Sequence, residues 1–138
     1  MTKVFIDSDI IIDYFYDRHP FSESASKVLN LCAYNKVVAF TSPLVVANVY
    51  YLLRKTAKHD KVIASLKGLL KYMRIINMNQ KIVLKALNSD FIDFEDALQN
   101  FAAVESKHID IIITRNVKDY KKSSLTIYTP VSFLKIIN

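Results

Sequence analysis

The sequence has very little glycine and cysteine. Among its 138 residues are one glycine, Gly68, one cysteine, Cys32, three prolines and no tryptophan. Because phosphate-binding loops need at least two glycines at fixed spacing, neither a G-x-G-x-x-G motif nor a P-loop can be present. The lone cysteine excludes an intramolecular disulfide and is typical of a reducing compartment. These absences argue against P-loop NTPases and dinucleotide enzymes.

Long apolar runs are also missing. The uncharged stretches are shorter than the roughly 18–20 apolar residues that a membrane span needs. The opening "MTKVFID" continues directly into a strand-like pattern, so we expect no signal peptide, no membrane partner and a cytoplasmic location. Hydrophobic residues make up 51% of the chain, which is enough to fill one core. We therefore predict a single domain over residues 1–138.

The chain is basic. It has 19 Lys and Arg against 13 Asp and Glu, a formal net charge of +6. This balance is typical of proteins that bind an acidic partner, most often nucleic acid. A solvated lysine surface would produce the same composition, so charge alone leaves both interpretations open.

Short apolar runs alternate with amphipathic segments along the whole chain. We predict strands over 4–7, 37–42, 75–78, 109–114 and 125–129. Helices are predicted over 8–17, 22–35, 43–55, 61–74, 80–89, 94–108 and 130–137, the first capped by Ser8 or Asp9. Alternation of this kind, with apolar strands, predicts an α/β sandwich around a parallel sheet.

Polar residues follow the predicted strands. Asp7 closes the first strand, Thr114 and Asn116 follow the fourth, and Asp119 lies just beyond; Asn48 lies in the helix after the second strand. In parallel α/β sheets, ligands bind outside the carboxyl ends of the strands. We therefore expect the functional site at this edge of the sheet.

The segment "DFIDFED" at 90–96 places four carboxylates within seven residues of a basic protein. Either a helix N-terminus or a bound cation could offset their repulsion. The two explanations are compatible, since Asp93 can cap the helix while Asp96 faces an ion and Glu95 points to solvent. Asp7, Asp96 and one of Asn116 or Asp119 could then meet at the sheet edge. Their oxygens suit a hard cation such as Mg²⁺ or Mn²⁺, which supports phosphodiester hydrolysis.

Several other residues have simple structural interpretations. We predict that Asp13 and Asp17 lie on a solvated helix face, and that Cys32 is in the core. The histidines are scattered without zinc-site spacing. Tyr50 and Tyr51 are adjacent, so at most one faces a groove, and packing in the core or in a dimer is the default.

The ordered segments "VFIDSDIIIDYF", "TSPLVVANVYYLLRK", "DFEDALQNFAAVE" and "IDIIITRNVKDY" resemble the PIN-domain family, which includes the VapC-type ribonuclease toxins. The resemblance covers essentially the whole chain. It implies a three-layer α/β/α fold with a central parallel sheet and an acidic pocket that holds Mg²⁺ or Mn²⁺. It also implies endoribonuclease activity, a homodimer and a small antitoxin partner.

The resemblance also assigns site positions. Asp7 matches the first acid of the family, Asp96 the third, and Asn116 or Asp119 the fourth. The second position, usually Glu, falls on Asn48, where a neutral oxygen implies weaker metal binding unless Asp93 or Asp119 contributes. A PIN subgroup with "N-x-Y-Y-x-L-R-K" at this point looks similar.

The mechanism that the resemblance implies assigns roles around this site. Asp7, Asp96 and Asp119 would hold one or two ions, and Asn48 and Asn116 would orient the water shell. The residues predicted to contact substrate are Arg54, Lys55, Thr114, Arg115 and Lys118. The basic ones would grip phosphates, and Thr114 would also steady a carboxylate.

Two alternatives stay open. The stretch "FIDSDII" also resembles the opening of haloacid-dehalogenase-type phosphatases, with Asp7 as nucleophile and Asp9 as acid, although that family expects Thr or Val at Ile11. Alternatively, with Asn48 and Asn116 in place of acids, the chain could be a degenerate PIN domain that binds RNA or protein without cutting.

Overall fold

A parallel β-sheet forms the centre of the protein. The structure, a computed structural model, describes residues 1–137. Within that range the strands are β1 (Lys3–Ile6), β2 (Val38–Thr41), β3 (Met73–Ile75), β4 (Ile111–Ile113) and β5 (Thr126–Tyr128). They pair in the order β3-β2-β1-β4-β5, and every pairing is parallel.

Helices cover both faces of this sheet. They are α1 (Ser8–Phe15), α2 (Ser22–Ala33), α3 (Pro43–Leu53), α4 (His59–Leu69), α5 (Gln80–Leu87), α6 (Phe94–Ser106) and α7 (Pro130–Ile136), with a 3₁₀-helix at Val117–Tyr120. The chain moves outward from β1 through β2 to β3 and then crosses back to β4. Right-handed crossovers therefore put α1 to α4 on one face and α5 and α6 on the other. The predicted three-layer α/β/α fold is confirmed.

The core lies on both sides of the sheet. Val4, Phe5 and Ile6 of β1 and Ile112 and Ile113 of β4 have no exposed surface. Such continuous burial is expected for central parallel strands that are covered on both faces. Within residues 1–137, no helix is long and apolar enough to cross a membrane.

Two predicted boundaries were wrong. The helix predicted over 61–74 corresponds to α4, which runs from His59 to Leu69. The strand predicted over 75–78 corresponds to β3, which runs from Met73 to Ile75. Met73 pairs with Ala39 of β2, so sheet pairing overrides the helical spacing of the apolar residues here. The cap of α1 is Asp7, whose carboxylate accepts a hydrogen bond from the Ser8 backbone, rather than Ser8 or Asp9.

The sheet also fixes where a site can form. The connection that leaves β1 runs to β2 on one side, whereas β4 lies on the other side of β1. Ligands bind at such a switch point in doubly wound sheets. Ile6 pairs with Ile113, so the next residues, Asp7 and Thr114, lie side by side at this edge.

Candidate active site

Asp7 lies at the centre of the switch point. It is 5% exposed, and its Oδ2 accepts hydrogen bonds from the Thr114 hydroxyl at 2.9 Å and from the Tyr120 hydroxyl at 3.2 Å. Its Oδ1 accepts one from the Ser8 backbone N–H at 2.8 Å. Burial raises the pKa of Asp7 above its ordinary value, although these hydrogen bonds oppose the rise. The result is a buried, oriented carboxylate at the end of β1.

Asp96 approaches the same point from the first turn of α6. Its backbone N–H donates to Oδ1 of Asp93 at 3.0 Å, so Asp93 caps the helix. Partial burial, followed by the charges of Asp7, Asp93 and Asp119, raises the pKa of Asp96 to about 7. The acid run therefore holds a helix cap, Asp93, as the sequence predicted, and a carboxylate with a raised pKa, Asp96, whose contact with an ion stays a prediction.

Tyr120 connects these acids, and sequence reasoning missed it. The residue is fully buried at the end of the 3₁₀-helix. Its hydroxyl donates to Asp7 and also acts on Asp96, lowering the pKa of that carboxyl. Burial and the two negative charges raise its own pKa above the ordinary range, so the phenol stays protonated as a donor. The only signal in the sequence was its position directly after Asp119.

The fourth acidic position has two candidates in sequence, Asn116 and Asp119. Both are exposed, on the turn and the 3₁₀-helix that follow β4. The charge of Asp119 is among those that raise the pKa of Asp96, whereas the Asn116 contacts are made by its backbone, which donates to the Thr114 hydroxyl at 3.1 Å and accepts from the Asp119 N–H at 3.0 Å. The arrangement favours Asp119 over Asn116 as the third carboxylate.

Thr114 supports carboxylates from a buried position. Its hydroxyl donates to Asp7 and also lies 3.4 Å from Oδ2 of Asp9. The side chain has no exposed surface, which argues against the predicted contact with substrate and agrees with the predicted support of a carboxylate.

Asp9 forms a second carboxylate layer beneath the site. Its Oδ2 accepts from the backbone N–H of Arg115 at 2.9 Å. In the described part of the chain, Oδ1 of Asp9 is buried and has no hydrogen-bond partner. Burial, followed by the charge of Asp7, raises the pKa of Asp9 to about 6. A buried carboxylate oxygen without a hydrogen-bond partner, next to a second carboxylate whose pKa is raised, is typical of a site that can hold a cation.

Arg115 is held in an ion pair behind the site. Its Nε and Nη2 donate to Asp13 at 2.6 and 3.1 Å, and its guanidinium lies 3.9 Å from the Phe21 ring centroid. Asp13 is 1% exposed, so the predicted solvated position was wrong. Because Nε and Nη2 are engaged with Asp13 and one face of the guanidinium lies against Phe21, this geometry does not favour the predicted phosphate contact of Arg115. Instead, the pair fixes the turn that carries Thr114 and Asp119.

Asn48 contacts Glu95, a residue that the sequence analysis predicted to point to solvent. Its Nδ2 donates to Oε2 of Glu95 at 3.3 Å. Asn48, which stands where the family usually has its second acid, therefore lies next to the carboxylate of Glu95 on α6. The charge of Glu95 is not among the main causes of the raised pKa values of Asp7 and Asp96. Glu95 thus lies beside the central acids and not among them.

The three remaining basic candidates are exposed. Arg54 donates to the Ala57 carbonyl at 2.9 Å, Lys55 lines a groove with Asn48 and Glu95, and Lys118 lies on the 3₁₀-helix. Their contacts with substrate stay predictions.

Buried polar bonds fix the helices that carry the site. The Ser42 hydroxyl, which caps α3, donates to Oε1 of Gln99 on α6 at 2.6 Å. Asn100 accepts a hydrogen bond from Ser123 beyond the 3₁₀-helix. Because all these polar groups are largely buried, the bonds are costly to break. They hold α6, and with it Asp96, against the other two elements of the site.

The carboxylates fit a hard divalent cation held by few protein ligands. In residues 1–137, no group of three or more Asp, Glu, His or Cys side chains is close enough together to hold a metal ion. Mg²⁺ commonly keeps several waters and uses one or two carboxylates plus substrate phosphates. The neighbouring acids Asp7 and Asp96, with the oxygen of Asp9 that has no hydrogen-bond partner, suit that mode of binding.

Comparison with known proteins agrees with this geometry. A family model described as "PIN domain" matches residues 3–118. Ribonuclease VapC1 of Aquifex aeolicus (strain VF5) is 28% identical over 136 residues, which cover 95% of this chain and 92% of that protein.

Two solved structures have a similar fold. VapBC2 from Rickettsia felis, bound to a DNA fragment from its promoter, superposes with a TM-score of 0.70 at 20% identity, covering 93% of this chain and 98% of that one. The sarcin-ricin loop cleaving toxin VapC20 of Mycobacterium tuberculosis has a TM-score of 0.60 at 20% identity, with coverage of 79% and 86%.

Proposed function

Because the chain belongs to the PIN-domain family, we propose that it is a metal-dependent endoribonuclease that hydrolyses phosphodiester bonds in RNA. The observation that carries the proposal is the meeting of Asp7 and Asp96 at the switch point, with Tyr120 acting on both. The related Ribonuclease VapC1 and the net charge of +6 support RNA as the substrate. The same family match leaves the phosphatase alternative without support.

Asp7 and Asp96 would hold the ion, Mg²⁺ or Mn²⁺, with Asp119 as a third carboxylate. When bound, such an ion makes a water molecule nucleophilic and neutralises charge on the phosphate. Thr114 and Tyr120 orient the Asp7 carboxylate through two hydrogen bonds to one oxygen, which leaves Oδ1 with only the Ser8 amide.

The outer part of the site would position substrate and water. We assign Asn48 and Asn116 to the water around the ion, and Arg54, Lys55 and Lys118 to the flanking phosphates. Contacts of this kind are salt-dependent and independent of base sequence. Asp93 keeps its capping role and reaches the ion only through its effect on Asp96.

Cleavage of a labelled mixed RNA pool tests the proposal. Wild type, Asp96→Asn and Asp90→Asn are compared in Mg²⁺, Mn²⁺ and EDTA. Asp90 is an exposed acid of the same run and serves as the matched control. We expect cutting that needs metal, is lost in Asp96→Asn and is kept in Asp90→Asn. Cutting that survives Asp96→Asn would refute the assignment of Asp96.

A second candidate is a binding module that does not cut. The neutral Asn48 at the second acidic position favours it. Isothermal titration with Mn²⁺ separates the two, because a binding module has no need of the ion. Binding that is lost in Asp96→Asn supports the nuclease, whereas RNA binding without any metal binding supports the module.

We also propose that the nuclease is the toxin of a toxin–antitoxin pair, that a small antitoxin covers the site, and that the chain forms a homodimer. The proposal is supported by structural neighbours that are toxin–antitoxin complexes. Expression of the wild-type chain should arrest growth, Asp96→Asn should not, and co-expression of the cognate antitoxin should restore growth. Sedimentation of the purified chain tests the dimer.

A further inference from the structure

A groove of about 380 Å³ opens beside the two central acids. One wall is the C-terminal half of α3 with the residues just after it, and the other is formed by the first turns of α1 and α6. The lining residues are Ser8, Asn48, Tyr51, Leu52, Lys55 and Glu95. Ser8 and Glu95 directly follow or precede Asp7 and Asp96 in the chain, so the groove adjoins the acids.

The α3 wall presents one stripe with mixed chemistry. Asn48, Tyr51 and Leu52 are spaced by three and four residues, which puts them on one helix face, and Lys55 follows in the turn after α3 and lines the same groove. In order, the stripe offers an amide, an aromatic ring, an apolar side chain and a cation. The Tyr16 hydroxyl donates to the Leu52 carbonyl at 2.5 Å and fixes this end of α3 against α1.

Tyr51 presents an exposed aromatic ring. Its side chain is 70% exposed, so most of the ring lies outside the core and outside contacts within this chain. The ring of Tyr50 meets it edge-on with centroids 5.0 Å apart, and the Tyr50 hydroxyl pairs with Nδ1 of His59 at 3.0 Å. Exposed rings held in this way stack on the bases of single-stranded nucleic acid.

Glu95 determines which part of a nucleotide can enter. A carboxylate repels phosphate, so in a groove that takes RNA it must face a base edge and not the backbone. A carboxylate offers only acceptors, and the Asn48 amide already donates to one of its oxygens. Guanine is the base whose Watson–Crick edge presents two adjacent donors, N1–H and N2–H. Lys55, on the opposite wall, is suited to the phosphate.

We propose that this groove is a guanine-selective nucleobase subsite for single-stranded RNA, in which the base stacks on Tyr51 and donates hydrogen bonds to Glu95. The inference rests on the proposed function and deepens it, since it places one base of the substrate next to the bond to be cut. Tyr51 supplies affinity for any base, and Glu95 supplies selectivity.

Binding of short RNAs in EDTA tests the subsite without any cleavage. The full chain is titrated against labelled five-nucleotide RNAs of uridine with a central G, A, C or U, read by fluorescence anisotropy. Wild type should prefer the G-containing RNA by about 5- to 150-fold, the range of one good bidentate contact. Glu95→Gln should lose this preference. Tyr51→Ala should weaken binding of every RNA by about 5- to 150-fold, and Tyr51→Phe should not.

Tyr34→Ala is the matched control, since Tyr34 is 75% exposed at the distant end of α2. Circular dichroism checks that each variant is folded. Equal affinities of Tyr51→Ala and Tyr34→Ala, or a guanine preference unchanged in Glu95→Gln, would overturn the inference. If the protein cuts RNA in a metal-dependent way but Tyr51→Ala has no effect on RNA binding, the subsite is overturned and the proposed nuclease function is not. Guanine-selective binding through Tyr51 without any cutting supports the subsite and overturns the nuclease.

Discussion

Replacement of Asp96 by Asn is expected to abolish activity and to make the metal-free protein more stable at neutral pH. The pKa of Asp96 is raised from 3.8 to about 7 in the folded protein by burial and by three neighbouring carboxylates. The folded state therefore holds its proton more tightly than the unfolded state. The contribution of Asp96 to stability is therefore fully present below about pH 4 and is lost as pH rises from about 4 to 7. Because asparagine does not ionise, the Asp96→Asn protein does not lose this stability as the pH rises.

The expected gain in the free energy of unfolding follows from the pKa shift of Asp96. A rise from 3.8 to about 7 corresponds to ~4 kcal/mol at 1.36 kcal/mol for each pKa unit. Because the side chain is only partly buried, solvent screening reduces this to roughly 1–2 kcal/mol. For a domain of this length, that change raises the melting temperature by about 3–8 °C.

Thermal unfolding in EDTA measures the effect at pH 4 and pH 8 for wild type, Asp96→Asn and the control Asp90→Asn. Asp96→Asn should unfold at higher temperature than the other two at pH 8 and at a similar temperature at pH 4. Added Mg²⁺ at pH 8 should stabilise wild type and Asp90→Asn, because only they keep the ligand. An Asp96→Asn protein no more stable than wild type at pH 8 would refute the idea that the acids repel one another.

Three further predictions concern the residues around these acids. Tyr120→Phe removes a buried donor to Asp7 and should lower the free energy of unfolding by about 1.5–3 kcal/mol in chemical denaturation, while shifting the pH–rate profile to higher pH. Arg115→Ala removes two hydrogen bonds to the buried carboxylate of Asp13, which keeps only the ion pair with Arg18 at 3.8 Å, and should cost up to about 3–5 kcal/mol, part of which the added change Asp13→Asn should restore. Affinity for Mn²⁺ should rise with pH by about tenfold for each unit below pH 7 and level off above it, since binding must displace the proton of Asp96; calorimetry that shows no pH dependence would contradict this.

Part of the site could be predicted because it depends on local order. Asp7 follows an apolar run, and in a parallel sheet a residue in that place must lie at the carboxyl edge. Asp93 and Asp96 stand three apart at a helix start, which is the spacing of a cap and the residue it binds. Neither conclusion required knowledge of distant contacts.

Other parts could not be predicted because they depend on pairs that are distant in sequence. Asp13 looked like a solvated residue because its helix is short and its partner, Arg115, lies on another element. Tyr120 had no periodicity to mark it as a donor to Asp7. The contact of Asn48 with Glu95 joins two helices whose angle the sequence does not specify.

The sequence by itself determined the fold class, the edge of the sheet that carries the site and the two central acids, because strand and helix periods and their order along the chain are local properties. Only the tertiary structure decided which neighbours surround these acids. It decided that Tyr120 bridges them, that Arg115 is engaged with Asp13, and that Tyr51 and Glu95 face one groove. Burial and distance between remote residues set these contacts and the pKa values that follow, and neither quantity exists until the layers pack.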